Sequence, residues 1–239
     1  MQREKLKQAG ALLAEQGMDL WLTIVRETAM NNDPVLPLIS TVDFTALTCI
    51  LVDKECKTVV LAGSNDAEGI RQTLLYDKII TYTSGFKNAL LELLRQYGPK
   101  KIAINYSVED VASDGLSHGL YLLLSEVAGE LAGKPELVSA APIIAKLRGI
   151  KSAAEKQRIL QAIETAEQIF QEARSYIKEG VTEQGIHRFF CERMKHYQVE
   201  PAWQAAQCPG VMLGPSSIPG HNAPTEIVGL KGDVMDIDF

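Results

Sequence analysis

From Asp19 to Leu131 short apolar, β-prone runs alternate with segments of helical periodicity, and this alternation constrains the fold more than any other feature. DLWLTIV (19–25), TALTCILVD (45–53), TVVLAG (58–63), KIITYT (78–83) and KIAINY (101–106) read as strands. Only DKEC (53–56) lies around the turn between the second and third of these, which predicts a hairpin. Helices are predicted over 66–76, over 86–97 before Gly98-Pro99, and over 114–131. Ahead of them, Leu6, Ala9, Leu12 and Leu13 recur at helical spacing in residues 2–17, with Gly17 as the stop. The pattern predicts an α/β domain with a mixed sheet over residues 1–140. Asn31, Asn32, Asp33, Pro34 and Pro37 mark a loop within it.

Pro135 and Pro142 bracket ELVSAA, which reads as a linker. A long helix is predicted from Ser152 to Glu179. Ser152 and Glu155 form a capping box, and Gly180 is the stop. Its buried face is expected to be Ile159, Ala162, Ile163, Ala166, Ile169, Phe170 and Ala173. Thr182 caps a second helix, 183–197, with Ile186, Phe189 and Phe190 inward. From Glu200 the texture changes: AWQAAQCPGVMLG reads as a strand or edge segment, GPSSIPGHNAP as a loop, and VMDIDF as a strand after the Lys231-Gly232-Asp233 turn.

Composition narrows the function classes. The chain has 239 residues, enough for two modest domains, and a net charge of −6 that argues against a nucleic-acid surface or a polybasic membrane patch. It holds no G-x-G-x-x-G and no P-loop. None of Cys49, Cys56, Cys191 and Cys208 forms a C-x-x-C pair, and four cysteines in so long a chain do not make a disulfide scaffold. The charged N-terminus is not a signal peptide, and no apolar run reaches the ~18 residues of a membrane span. A soluble, cytoplasmic protein with no nucleic-acid or membrane partner is expected. His118 reads as a surface or capping residue. His187 and Cys191 are four apart and can share a helix face, but two donors fall short of a zinc site, and His196 at the helix end adds nothing to it.

The chemistry concentrates in the last stretch. On a strand, Met235, Ile237 and Phe239 share one face and Val234, Asp236 and Asp238 the other. Two carboxylates on a buried face need a cation, a basic partner or solvent to neutralise them. His221, after Pro219-Gly220, stands in a loop poor in apolar residues, placed to donate to a substrate carbonyl or a developing oxyanion.

These residues carry a resemblance. Lys146-Leu147-Arg148 with Lys151-Ser152 and Glu155, then Gly180-Val181-Thr182-Glu183, Ala202-Trp203, Cys208-Pro209, His221 with Pro224, Leu230, Gly232-Asp233 and Ile237-Asp238-Phe239 stand in the order and spacing found in the pita-bread metallopeptidases. That family includes Xaa-Pro aminopeptidases and dipeptidases, methionine aminopeptidase and creatinase. The first 140 residues are similar to the creatinase-type domain that precedes the pita-bread fold in proline peptidases. The resemblance implies a creatinase-like N-terminal domain over 1–140 and the N-terminal half of an α+β pita-bread catalytic domain over 146–239.

What it implies about chemistry is specific. Asp238 would be the first of five protein ligands to a pair of divalent metals, usually manganese, cobalt or zinc. His221 would steady the peptide carbonyl while a metal-bridging water attacks it. Asp236 is not a family ligand. The substrate would be a short peptide with proline second, and the enzyme a homodimer. The family's other ligands, a second Asp, a His and two Glu, lie downstream of Phe239. The chain is therefore expected to be a fragment, inactive and without bound metal on its own. Alternatives remain: a metal-free creatinase-like C–N hydrolase, a peptide- or protein-binding relative that has lost its ligands, or an unrelated α/β protein.

Overall fold

The computed structural model describes residues 1–220 and 222–239. The chain divides into two units, Met1–Glu155 and Lys156–Phe239. In chain order the first unit holds α1 (Gln2–Glu15), β1 (Leu20–Val25), α2 (Leu36–Ile39), β2 (Thr48–Asp53), β3 (Thr58–Gly63), α3 (Ser64–Gln72), β4 (Lys78–Tyr82), α4 (Phe86–Tyr97), β5 (Lys101–Ile104), a 3-10 turn at Val111–Ser113, α5 (His118–Glu130), β6 (Glu136–Ser139) and α6 (Ala141–Gly149). There follow α7 (Ala153–Tyr176), α8 (Glu183–Tyr197), β7 (Gly210–Leu213) and β8 (Met235–Asp238).

β1, β2 and β3 are apolar or β-branched at nearly every position, and every residue in them is buried. A strand of that kind needs cover on both faces. The six-stranded sheet supplies the setting, in the order β4-β3-β2-β1-β5-β6. β1–β2 and β2–β3 run antiparallel, whereas β1–β5, β5–β6 and β3–β4 run parallel. The expected hairpin and mixed sheet are present.

Alternation along the strands builds two cores. Trp21, Val25, Ile50, Val52, Val60 and Ala103 pack with α1 and α6 through Leu6, Ala9, Leu13, Ile143 and Leu147. On the other face Leu20, Leu22, Leu51, Leu61 and Ile104 pack with α4 and α5 through Leu90, Leu94, Leu124 and Val127. The unit is a three-layer α/β/α sandwich.

Two sequence expectations for this unit need correction. The segment read as a linker is edge strand β6 followed by α6, whose Ile143, Ile144 and Leu147 are fully buried. Pro142 sits in the first turn of α6, where a missing N–H costs nothing, so it starts the helix rather than interrupting a chain of loops. The Pro-rich loop likewise contains α2, with Pro37 in its first turn.

In the second unit, α8 lies against the two-stranded β7–β8 sheet. The core is Ile169, Ala173, Ile186, Phe190, Met194, Val211 and Leu213, with Ile237 and Phe239 packed on it. The capping box of α7 forms as read: Ser152 N–H donates to Glu155 Oε2 (2.7 Å) and Glu155 N–H to Ser152 Oγ (3.3 Å). Thr182 Oγ1 accepts from Gly185 N–H at 3.0 Å. The buried face of α7 is narrower than its periodicity predicts. Of its expected residues only Ile169 and Ala173 are buried, while Ile159, Ile163 and Phe170 are 43%, 48% and 40% exposed. The stripe is a property of sequence, whereas burial needs an opposing surface. Within this unit α8 and the sheet meet only the later turns of α7.

Candidate functional site

The terminal strand behaves as its alternation requires. β8 pairs antiparallel with β7 in the register Gly210↔Asp238, Val211↔Ile237, Met212↔Asp236 and Leu213↔Met235. Phe239 closes on Phe170 and Phe190, with ring centroids 5.2 and 4.8 Å away. Ile237 joins the same core, whereas Met235 is 39% exposed. Asp236 and Asp238 project to the opposite, exposed face. Asp238 stands across from Gly210, which has no side chain to cover it. Met235, Asp236 and Ile237 also border a cleft of about 510 Å³ with Phe170, Ala173 and Arg174 of α7 and with Ile177, which follows it.

His221, the proposed carbonyl-steadying residue, lies outside the described residues. The loop that carries it can be followed on both sides. The described residues from Gly214 to Ile227 have no regular secondary structure, and they are held by a buried side chain, Glu183, which is 3% exposed. Glu183 Oε1 accepts from Ser217 Oγ–H and from Leu213 N–H (3.3 Å). Its Oε2 accepts from Thr225 N–H (2.9 Å) and Thr225 Oγ1–H (2.7 Å). Burial alone would raise its pKa. The hydrogen bonds from Ser217, Thr225 and Leu213 outweigh it and hold the carboxyl below the usual glutamate range.

The backbone supports the same arrangement. Glu183 N–H donates to Ile227 O, Gln184 N–H to Thr225 O, and Gly229 N–H to Val181 O. Residues 225–229 thus run alongside 181–184. Sequence reasoning assigned Glu183 no role. An acidic residue in the first turn of a helix is commonplace for electrostatic reasons, and nothing local marks it as buried. The one available signal was its position directly after the Thr182 cap, within Gly180-Val181-Thr182-Glu183.

His187 and Cys191 do share a helix face. His187 Nδ1 lies 3.0 Å from Pro209 O, which requires Nδ1 to carry the proton, and Nε2 then faces Cys191 Sγ at 3.5 Å. Cys191 also approaches Cys208 O at 3.8 Å. Burial raises the Cys191 pKa, and the contacts of His187 and Cys191 tie α8 to the chain before β7. All four cysteines are free thiols. His118 is the first residue of α5, exposed and stacked near Tyr121 with centroids 6.3 Å apart.

Among the described residues no group of three or more His, Cys, Asp or Glu side chains could hold a metal ion. Asp238 offers one carboxylate, and a catalytic metal normally takes three protein ligands. The described residues therefore do not form a metal centre by themselves. Among them, also, no helix is long and apolar enough to cross a membrane.

No family model matches the chain, and no curated protein matches it in sequence. Solved structures do match. An Xaa-Pro dipeptidase from Bacillus anthracis superposes with a TM-score of 0.65 at 16% identity, covering 99% of this chain and 60% of that one. A prolidase from Pyrococcus horikoshii OT3 gives 0.64 at 21% identity, covering 98% and 59%. An X-Pro aminopeptidase from Thermotoga maritima MSB8 gives 0.58 at 21%, again covering 98% and 59%. At these identities the likeness is one of fold. It extends over nearly the whole chain, which spans about 60% of the length of the structures it matches.

Proposed function

We propose that this chain is part of a metal-dependent exopeptidase that hydrolyses the peptide bond before proline. The observation that carries the reading is the conjunction at β8. An exposed aspartate, Asp238, lies opposite a glycine in a two-stranded sheet whose other face packs on helices. The fold in which this occurs is that of Xaa-Pro peptidases over 98–99% of the chain.

In this reading residues 1–140 form the creatinase-type domain and 146–239 the first half of the catalytic domain. Asp238 supplies one ligand to a divalent metal pair in a longer protein, and the remaining ligands come from polypeptide outside this chain. His221 donates to the carbonyl of a short peptide with proline at its second position. The protein works in the cytoplasm as a homodimer.

The test compares two polypeptides on alanyl-proline with added manganese: the 239-residue chain, and the product of the reading frame continued past Phe239. The expected result is hydrolysis by the longer product only, abolished by Asp238→Asn. A longer product that has further acidic and imidazole groups but no activity would overturn the reading. So would hydrolysis by the longer product that Asp238→Asn leaves intact. A frame without such groups favours the non-catalytic peptide-binding reading. The shortage of metal donors among the described residues is the specific observation behind that second reading.

A further inference from the structure

Helix α7 is longer than the surface that covers it. The core of the second unit takes from it Ile169 and Ala173, both in its later turns. Ahead of them Ile159, Ile163 and Ala166 recur at helical spacing and form one stripe, and the two isoleucines stay 43% and 48% exposed. A single exposed isoleucine is ordinary, whereas a row of apolar side chains on an uncovered helix marks an interaction surface.

The charges beside the stripe select what fits it. Lys156 and Glu167 are exposed and about three helical turns apart, so they stand on the same flank of the stripe, one at each end. At the positions three and four away from either of them the chain holds no opposite charge. Among the described residues neither makes an ion pair. A second α7 laid antiparallel across the stripe brings that flank against its own copy. Lys156 of each chain then meets Glu167 of the other, and Ile159 of each packs on Ile163 of the other, about a twofold axis near Gln161. The two kinds of contact agree on that axis, because the midpoints of 156–167 and 159–163 fall at 161.5 and 161. The open edge of β8 is another unpaired surface, and charge speaks against it: a second β8 there would set Asp236 and Asp238 against the same carboxylates.

We infer that the stripe of α7 is a self-association surface, taken by α7 of a second copy of this chain in antiparallel pairing. Three turns of helix make a small interface, so the dimer is a reversible one. The inference gives the homodimer of the proposed function its surface and rests on that reading in nothing else, so its failure leaves the peptidase test standing.

The test is sedimentation velocity of the 239-residue chain from about 1 to about 100 µM, with no substrate or metal present. The native chain is expected to pass from monomer to dimer over that range. Lys156→Glu and Glu167→Lys should each weaken the dimer about tenfold, since each sets two like pairs across the axis. The swap Lys156→Glu/Glu167→Lys should restore the native constant to within about threefold. Ile163→Lys should stay monomeric throughout. Thermal melts at about 1 µM, where the dimer is dissociated, separate folding from association, and the midpoints of the variants should match the native one. If Ile163→Lys melts early, the reversals and their swap decide alone. A native chain that is still monomeric at the highest concentration would overturn the inference. So would a dimer indifferent to the reversals, or one that the swap fails to restore, because either would place the contact elsewhere.

Discussion

Lys5 Nζ lies 2.7 Å from Glu155 Oε2, and no part of the lysine side chain reaches solvent. The ammonium also donates to the carbonyls of Leu147 (2.6 Å) and Ile150 (2.8 Å), which α6 leaves without intrahelical partners at its end. Glu155 meanwhile completes the capping box of α7. One buried cation thus joins the end of one helix to the start of the next. Lys5→Met is expected to destabilise the chain by about 3 kcal/mol, because it strands a carboxylate and the buried Leu147 carbonyl, while Gln8 Nε2 still donates to Ile150 O. Lys5→Met/Glu155→Leu should recover much of that loss, less the ~1 kcal/mol of the lost cap. Urea denaturation of the single and double variants checks both.

Gly115 touches the carboxylate of Asp33 so closely that a Cβ there would lie 2.1 Å from Asp33 Cγ. Asp33 cannot step aside. Asn105 Nδ2 donates to its Oδ2 at 2.8 Å and Val35 N–H to its Oδ1 at 2.9 Å, while Asn105 is itself held by the indole N–H of Trp21 at 2.6 Å. Gly115→Ala is expected to cost about 2 kcal/mol by forcing this network apart. The urea midpoint should fall while the slope is retained. A change near zero would mean that the 114–116 segment moves freely.

The fold of the first unit was legible because its signals are local and redundant. In Leu20–Val25 and Thr48–Asp53 apolar content, β-branching and length agree, and the turn at Lys54 and Glu55 is too short for anything but a hairpin. Reading failed where a proline was taken for a break. Pro37 and Pro142 both sit in first turns, where proline is favoured, and which turn a proline occupies depends on what the helix packs against. At the site, the alternation of β8 was legible and with it the common face of Asp236 and Asp238, but not the exposure of that face, which depends on what packs over the sheet. The anchoring of the loop by Glu183 was not legible either. Its four donors come from residues 30 to 42 positions away, and no local pattern carries that information.

The apolar stripe of α7 supplies a prediction on which sequence and structure disagree. If Ile159 and Ile163 were core residues, replacing either with a charge would unfold the unit. Exposed as they are, Ile159→Lys and Ile163→Lys should change stability by no more than ~0.5 kcal/mol. They should also reduce any self-association, since an exposed apolar stripe is a surface for it. Thermal melts and sedimentation velocity of the two variants measure the two effects. A loss of several kcal/mol would show the stripe to be buried in solution.

Two aspartates of the first unit should make stability depend on pH in opposite senses. Asp19 receives Lys54 Nζ at 2.8 Å and the backbone N–H groups of Lys100 and Lys101 at 2.8 and 3.1 Å. Led by the Lys54 bond, these lower its pKa from 3.8 to about 2. A depressed carboxyl contributes stability above its unfolded value and loses it as pH falls through the folded one. The advantage of the native chain over Asp19→Asn should therefore shrink between about pH 4 and pH 2. Asp33 is raised, chiefly by burial and slightly by Asp114 facing it, against the hydrogen bonds of Asn105 and Val35. Its contribution is complete below the unfolded value and is lost as pH rises through the folded one. Relative to Asp33→Asn, the native chain should lose ground as pH climbs from about 4. Urea midpoints measured from pH 2 to pH 8 read both slopes, and parallel profiles for the two variants would refute the assignment of opposite signs.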